Sequence, residues 1–144
     1  MEETLEIIAG IPGGKDLADW LLAFGYNHGF GDDEVMSLTL NRESGSTLVL
    51  MSRKRDGKKW YSKRVTFRFA GMVDAHIEGF SHQNVIGGLN VRRLARQEIH
   101  PSLLGIGVQF LNHQIAMEPC AGAFGTINCN IGEIRVEPLP QDEI

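Results

Sequence analysis

Residues 61–70 read YSKRVTFRFA, and this stretch decides the fold. Its apolar residues Val65, Phe67 and Phe69 alternate with arginine and threonine. Because successive side chains of a strand point to opposite faces, this period of two predicts a β-strand with one face in a hydrophobic core. The other face meets water or a partner.

Seven further segments either alternate in the same way or are short apolar runs bounded by turn residues, and we predict strands there. They are residues 35–41, 47–52, 73–78, 84–94, 114–118, 125–129 and 133–137. In the first of them Met36, Leu38 and Leu40 are expected to face the core. Gly87 and Gly88 favour a strand over a helix, because each glycine destabilises a helix by about 1 kcal/mol, and they suggest a bulge or a close backbone contact.

One helix is predicted ahead of these strands, over residues 15–24. Leu17, Trp20, Leu21 and Phe24 fall on one face of such a helix, and Gly25 suits a left-handed cap at its end. A helix followed by strands, without alternating βαβ units, predicts an α+β fold. We expect the N-terminal helix to pack on a mostly antiparallel sheet of about six to eight strands. One domain would span residues 1–144, with an N-terminal segment at 1–14 and an acidic tail at 139–144.

Composition places the chain among ordinary globular proteins. It has 144 residues, of which 42% are hydrophobic and 22% charged, and its net charge is −4. No apolar run approaches the roughly 20 residues that cross a bilayer, and the start lacks a basic signal region, so we expect a cytoplasmic protein with free thiols and no membrane partner. The negative balance argues against nucleic acid as a partner. The basic residues 53–59 are interpreted as a solvated loop.

The residues show no recognisable catalytic signature, and we predict no catalytic residue, no cofactor and no bound metal. Cys129 lies on an alternating segment and is expected to be a buried thiol. The main alternative is a metal site, because His76 and Glu78 would project from one strand face with His82 a few residues on, and three such ligands can hold zinc.

Two polar segments are candidate recognition loops. The first contains Asp32, Asp33 and Glu34, three adjacent acids that are also typical of a solvated turn. The second contains His82, Gln83 and Asn84, whose amides and imidazole can contact a partner or satisfy backbone groups at a bend.

Set in order, these segments resemble the immunity protein 50 family, small proteins encoded beside polymorphic toxins in bacteria. The likeness covers roughly residues 17–139. It is carried by Phe24-Gly-Tyr26, Phe30, Asp32, Glu34-Val35, Val65-Thr-Phe-Arg-Phe69, Glu78-Gly-Phe80, His82-Gln-Asn-Val85, Glu118-Pro-Cys120 and Gly125-Thr-Ile-Asn-Cys129.

The resemblance implies a non-enzymatic protein that binds and neutralises a cognate protein toxin inside the producing cell. Acidic groups set against a basic toxin surface would speed association by electrostatic steering. The expected contact residues are Asp32, Asp33, Glu34, His82, Gln83 and Asn84, followed by His76 and Glu78 on the strand face. Two alternatives stay open: a small-molecule- or metal-binding domain of unknown activity, and a structural module that self-associates through a free sheet edge.

Overall fold

The computed structural model describes residues 2–23, 29–94 and 111–139. In these ranges two helices precede eight strands, and every strand pairing is antiparallel. The elements are α1 (Glu2–Ala9), α2 (Gly14–Leu22), β1 (Glu34–Thr39), β2 (Ser46–Asp56), β3 (Lys59–Phe69), β4 (Asp74–Glu78), β5 (Val85–Arg93), β6 (His113–Ala121), β7 (Phe124–Cys129) and β8 (Ile131–Pro138). The predicted α+β fold, with helix before sheet, is confirmed.

The sheet consists of two four-stranded halves. The strand order is β4-β7-β6-β5-β1-β2-β3-β8, so β5 and β1 meet in the middle. Within the described residues their register holds one pair, Glu34 with Val85. Because the pair is antiparallel and joins the first residues of both strands, β1 and β5 run in opposite directions away from it, and among the described residues this backbone edge of β5 has no further strand partner.

Helix α1 lies in this gap. The Thr4 hydroxyl donates to the Val91 carbonyl oxygen at 3.3 Å and accepts from the Val91 N–H at 3.0 Å. A buried side chain thus takes the place of a neighbouring strand on β5. Ile7 and Ile8 of the same helix are buried in the core. This helix was not predicted, because two turns of an isolated helix are marginal and its stability comes from packing.

The second helix is the one that the sequence predicts. Leu17 and Leu21 are fully buried, and the Trp20 indole N–H donates to the Ser52 hydroxyl at 2.9 Å. The two helices touch closely, since a Cβ added to Gly14 would lie 1.7 Å from the Ile8 carbonyl oxygen. The predicted residues Phe24 and Gly25, and the tail from residue 140, lie outside the described residues.

The core lies between the helices and the apolar side chains on the inner face of both sheet halves. In β3 the predicted alternation is confirmed: Val65 and Phe67 are fully buried and Phe69 nearly so. The opposite half supplies Ile115 and Ile127 to the same cluster. The two halves therefore share a core, although their strands barely pair.

The predicted apolar face of β1 is confirmed at Leu38, which packs against the core, and is wrong at Met36 and Leu40. Met36 and Leu40 are 54% and 59% exposed, whereas Val35 is buried. Leu40 follows the end of β1, and at Met36 the cause is a register shift: Val35 pairs with Leu50 but Ser37 pairs with Val49, so Met36 is an extra residue. An extra residue in one strand reverses the facing of the residues after it. A register shift also surrounds Gly87 in β5, which confirms the bulge expected there.

The solvated loop predicted for residues 53–59 is also wrong. Strand β2 continues to Asp56, β3 begins at Lys59, and Gly57 and Lys58 alone form the turn. Gly57 has a φ of +62°, as tight hairpin turns require. Because the strand continues, Lys54 points to the inner face and is buried.

We expect Thr4→Val to lower the free energy of unfolding by about 1–3 kcal/mol, because it leaves the buried N–H of Val91 without an acceptor. Thr39→Val, an exposed strand position, is the matched control and should stay within about 0.5 kcal/mol of the parent. Urea unfolding measures both variants. Equal stabilities for the two would show that α1 does not seal the edge of β5.

Candidate binding platform

Three connections gather where the β4-β7-β6-β5 half of the sheet meets the start of β1. They are residues 29–33 ahead of β1, residues 79–84 between β4 and β5, and the turn at 122–123 between β6 and β7. The registers place the start of β5 and the ends of β4 and β6 at one end of their half, and the pair of Glu34 with Val85 brings the start of β1 to the same place. We call these three connections the loop platform.

Backbone hydrogen bonds join the first two connections. The Val35 N–H donates to the Asn84 carbonyl oxygen at 2.8 Å, and the Ile86 N–H donates to the Asp33 carbonyl oxygen at 2.9 Å. The Asp32 N–H also donates to the Ile86 carbonyl oxygen, at 3.0 Å. The two loops singled out in the sequence, about fifty residues apart, are therefore brought side by side. They extend the single β1–β5 pair into a junction.

Asn84 holds the second and third connections together. Its side-chain oxygen accepts from the N–H groups of Ser81 at 2.9 Å and Ala123 at 3.1 Å, and its amide donates to the Ser81 carbonyl oxygen at 2.9 Å. An amide used in this way has little capacity left for a partner. Asn84, predicted as a contact residue, supports the platform instead.

Glycines allow these loops to approach one another. A Cβ on Gly122, whose φ is +96°, would lie 2.2 Å from the Gln83 carbonyl oxygen. A Cβ on Gly79, whose φ is +76°, would lie 2.5 Å from the Gly122 carbonyl oxygen. Any larger residue would push the loops apart, so the platform depends on glycine at both positions.

Several predicted contact residues do lie on the surface of the platform. Asp32, His82 and Gln83 are exposed, and Glu34, the first residue of β1, is half-buried. Beside them Phe80 leaves 51% of its surface in water. The platform thus carries exposed charged and amide groups together with an exposed aromatic ring, which is the composition of many binding surfaces.

Asp33 cannot serve as a surface contact, because it is fully buried. One carboxylate oxygen accepts from the Arg53 N–H at 3.1 Å, and the other has no hydrogen-bond partner among the described residues. The buried ammonium of Lys54 attracts this carboxylate through space and donates to the Gly29 carbonyl oxygen. The pair fastens residues 29–33 to β2.

Burial dominates the ionisation of both groups. It raises the pKa of Asp33 from 3.8 to about 7, against the opposing effects of the Lys54 ammonium, the nearby Ser52 hydroxyl and the Arg53 N–H. Burial lowers the pKa of Lys54, against the attraction of Asp33 and Asp32. A raised carboxyl pKa beside a lowered ammonium pKa is the signature of two ions withdrawn from water.

His76 and Glu78, on the exposed face of β4, do not join a metal-binding group. The His76 Nε2 lies 3.1 Å from the Asp74 carboxylate of its own strand. Across residues 2–23, 29–94 and 111–139 no cluster of three or more histidine, cysteine or acidic side chains could hold a metal. The Cys129 thiol is buried, as predicted, and burial raises its pKa to about 12.

His76 instead ends a row of polar side chains that crosses four strands, and this row was not predicted. Arg92 donates to Gln114 at 2.8 Å, Gln114 donates to Asn128 at 2.9 Å, and Asn128 reaches Asp74 at 3.4 Å. Directly paired positions carry every step, so the row fixes the register of β5, β6, β7 and β4.

No protein-family model, curated protein or solved structure matches the chain. In the ranges that the structure describes, no helix is long and apolar enough to cross a membrane.

The buried pair makes stability depend on pH. The pKa of Asp33 in the folded protein, about 7, lies above its ordinary 3.8, so the folded state binds the extra proton in this interval. The contribution of protonated Asp33 to the free energy of unfolding is present at acid pH and is lost as the pH rises toward 7. Relative to Asp33→Asn, the parent should therefore become less stable from pH 3.8 to about 7 in urea titrations. Asp56→Asn, an exposed acid whose charge is not among those that shift Asp33, should keep the parent's dependence, and a flat difference for Asp33→Asn would contradict this assignment.

We expect Asn84→Ala to destabilise the protein by about 1–3 kcal/mol, because it removes acceptors from two N–H groups of the platform. Asn90→Ala, an exposed position of β5, is the control and should be nearly neutral. Amide hydrogen exchange should show faster opening at Ser81 and Ala123 in the first variant alone. Unchanged exchange at both amides would show that Asn84 does not hold the loops.

Proposed function

We propose that this chain is a non-enzymatic protein of the immunity type, which binds a cognate bacterial toxin in the producing cell and blocks its active site or substrate path. The observation that supports this proposal is the loop platform. Three connections that are far apart in the sequence form one surface, and an aromatic ring stands exposed on it.

A rigid platform favours tight binding. Ordering flexible loops at an interface opposes association by about 0.5–1.5 kcal/mol for each side chain that is immobilised. Here Asn84 and the close glycine contacts order the loops before any partner arrives. The free energy of new contacts then goes into affinity, which an inhibitor of a lethal enzyme needs.

The expected contact set follows from exposure. Phe80 is the central aromatic anchor, since a few large side chains carry most of the binding energy at protein interfaces. Asp32, His82 and Gln83 are the exposed polar residues of the same platform, and Glu34 is half-buried. Exposed His76 and Glu78 extend the surface along β4. The acidic members and the net charge of −4 would attract a basic toxin surface.

Phe80→Ala tests the platform directly. If Phe80 is a binding anchor, the variant should weaken toxin binding by about thirtyfold or more and abolish growth rescue when coexpressed with the product of the neighbouring reading frame, where this proposal expects the toxin. Leu40→Ala is the matched control: Leu40 is also an exposed apolar residue, 59% exposed, but lies at the opposite end of the sheet.

Calorimetric titration of both variants separates binding from folding, with unfolding curves to show that each is intact. Equal affinity for Phe80→Ala and Leu40→Ala would remove the platform as the binding surface. Failure of the parent protein to bind the neighbouring product would reject the toxin-binding role.

A further inference from the structure

A cavity of about 250 Å³ opens beside the loop platform, near the turn of the β2–β3 hairpin. We call it the hairpin cavity. It is lined by Gly31, Asp32, Arg53, Lys54, Arg55 and Trp60. None of its basic or aromatic residues is used by the platform surface described above.

The cavity exists because β2 extends beyond the start of its neighbour β1. Strand β1 begins opposite Met51, whereas β2 continues to Asp56. The Asp33 carboxylate accepts a hydrogen bond from the Arg53 N–H. It occupies the place that a backbone carbonyl oxygen would have if β1 were longer. Alternate N–H groups of a strand point to the same side, so the N–H of Arg55 faces the same edge. There the chain turns away, with Asp32 at a φ of +66°.

The lining is positive. Arg53 and Arg55 are exposed, and Asp32 is the one carboxylate among the lining residues. Lys54 is already committed to buried Asp33 and to Gly29. Two guanidinium groups and one exposed carboxylate leave a net positive charge at the opening of the cavity.

Arg55 is held in place before any ligand binds. Its Nε donates to the Gly57 carbonyl oxygen at 2.6 Å, and its guanidinium carbon lies 5.5 Å from the centre of the Trp60 ring. Trp60 itself is 57% exposed. Tryptophan and arginine are both residue types enriched at the energetic centres of interfaces, and the two are held here in a cation–π contact.

The size of the cavity narrows the choice of ligand. Pockets for small molecules and cofactors occupy roughly 300–1,000 Å³, and this cavity is smaller. It suits one side chain better than a nucleotide or an organic cofactor. The arginines favour a carboxylate, because its two oxygens match the planar donor groups of a guanidinium. The Trp60 indole can pack against the methylene groups of the side chain that bears this carboxylate.

We propose that the hairpin cavity receives a glutamate or aspartate side chain of the protein partner. This inference rests on the proposed function and adds the chemistry of one contact. The cavity lies close to the acidic residues of the platform. The proposal therefore requires one acidic residue on a toxin surface whose neighbouring groups are basic. The alternation of sign would fix the orientation of the partner as well as its affinity.

The test uses the full chain labelled with ¹⁵N and two blocked peptides, N-acetyl-Gly-Glu-Gly-amide and its glutamine counterpart. The chain has two tryptophans, and Trp60→Phe assigns the indole N–H signals of Trp60 and buried Trp20. The glutamate peptide should shift the Trp60 signal in a saturable way at low salt. The glutamine peptide should leave it in place.

Arg53→Gln and Arg55→Gln should each lower the affinity for the glutamate peptide by about tenfold, since each removes a charged hydrogen-bond donor. Lys58→Gln is the matched control: it removes the same charge from the turn of the same hairpin, outside the cavity lining. The unchanged amide signals of β3 will show that the hairpin is intact.

Equal shifts with both peptides, or an equal loss with Lys58→Gln, would overturn the inference. Inorganic phosphate that binds more tightly than the glutamate peptide would overturn it in favour of a phosphate site. No toxin enters this titration. A saturable glutamate shift together with failed toxin binding would therefore reject the proposed function alone, whereas toxin binding without the shift would reject the cavity assignment.

Discussion

Glu34 and Val85 form the one residue pair between the two halves of the sheet in the described part of the chain, and the rest of the fold depends on this junction. Two halves joined at one point would expose the edge of β5 and an unfilled core. Helix α1 closes the gap from one side, where Thr4 satisfies the backbone of Val91. The platform loops reinforce the junction from the other side through hydrogen bonds between Asp33, Asn84 and their neighbours.

The buried pair of Asp33 and Lys54 lies next to this junction and explains its geometry. Buried ion pairs add little net stability, because the loss of hydration offsets their attraction. They do penalise arrangements in which either charge is left alone. Asp33 binds the Arg53 N–H through its side chain and the Ile86 N–H through its backbone, so one residue links β2 to β5 across the start of β1. We infer that the pair specifies this arrangement rather than strengthening it.

The sequence predicts what depends on regular periodicity. The alternation in 61–70 and the helical spacing of Leu17 and Leu21 give the fold class and most strands. Helix α1 was missed because its stability is tertiary, and the inner face of β1 because one extra residue, Met36, cannot be seen in a period of two. Lys54 was misplaced although a signal exists: Leu48, Leu50, Ser52 and Lys54 continue one alternation.

The candidate site was predictable only in part, because hydrogen-bond partners, like tertiary packing, do not follow from periodicity. Both recognition loops stand out as polar segments between strands, but their roles divide according to partners that sequence spacing does not reveal. Asp33 and Asn84 turn inward and hold the loops, while Asp32, His82 and Gln83 stay outside. Inward polar groups give rigidity and outward ones give contacts, so one short segment can supply both. The hairpin cavity has the same origin, because the side chain that fastens residues 29–33 to β2 also ends the pairing of β2 with β1 and leaves the arginines beside an open edge.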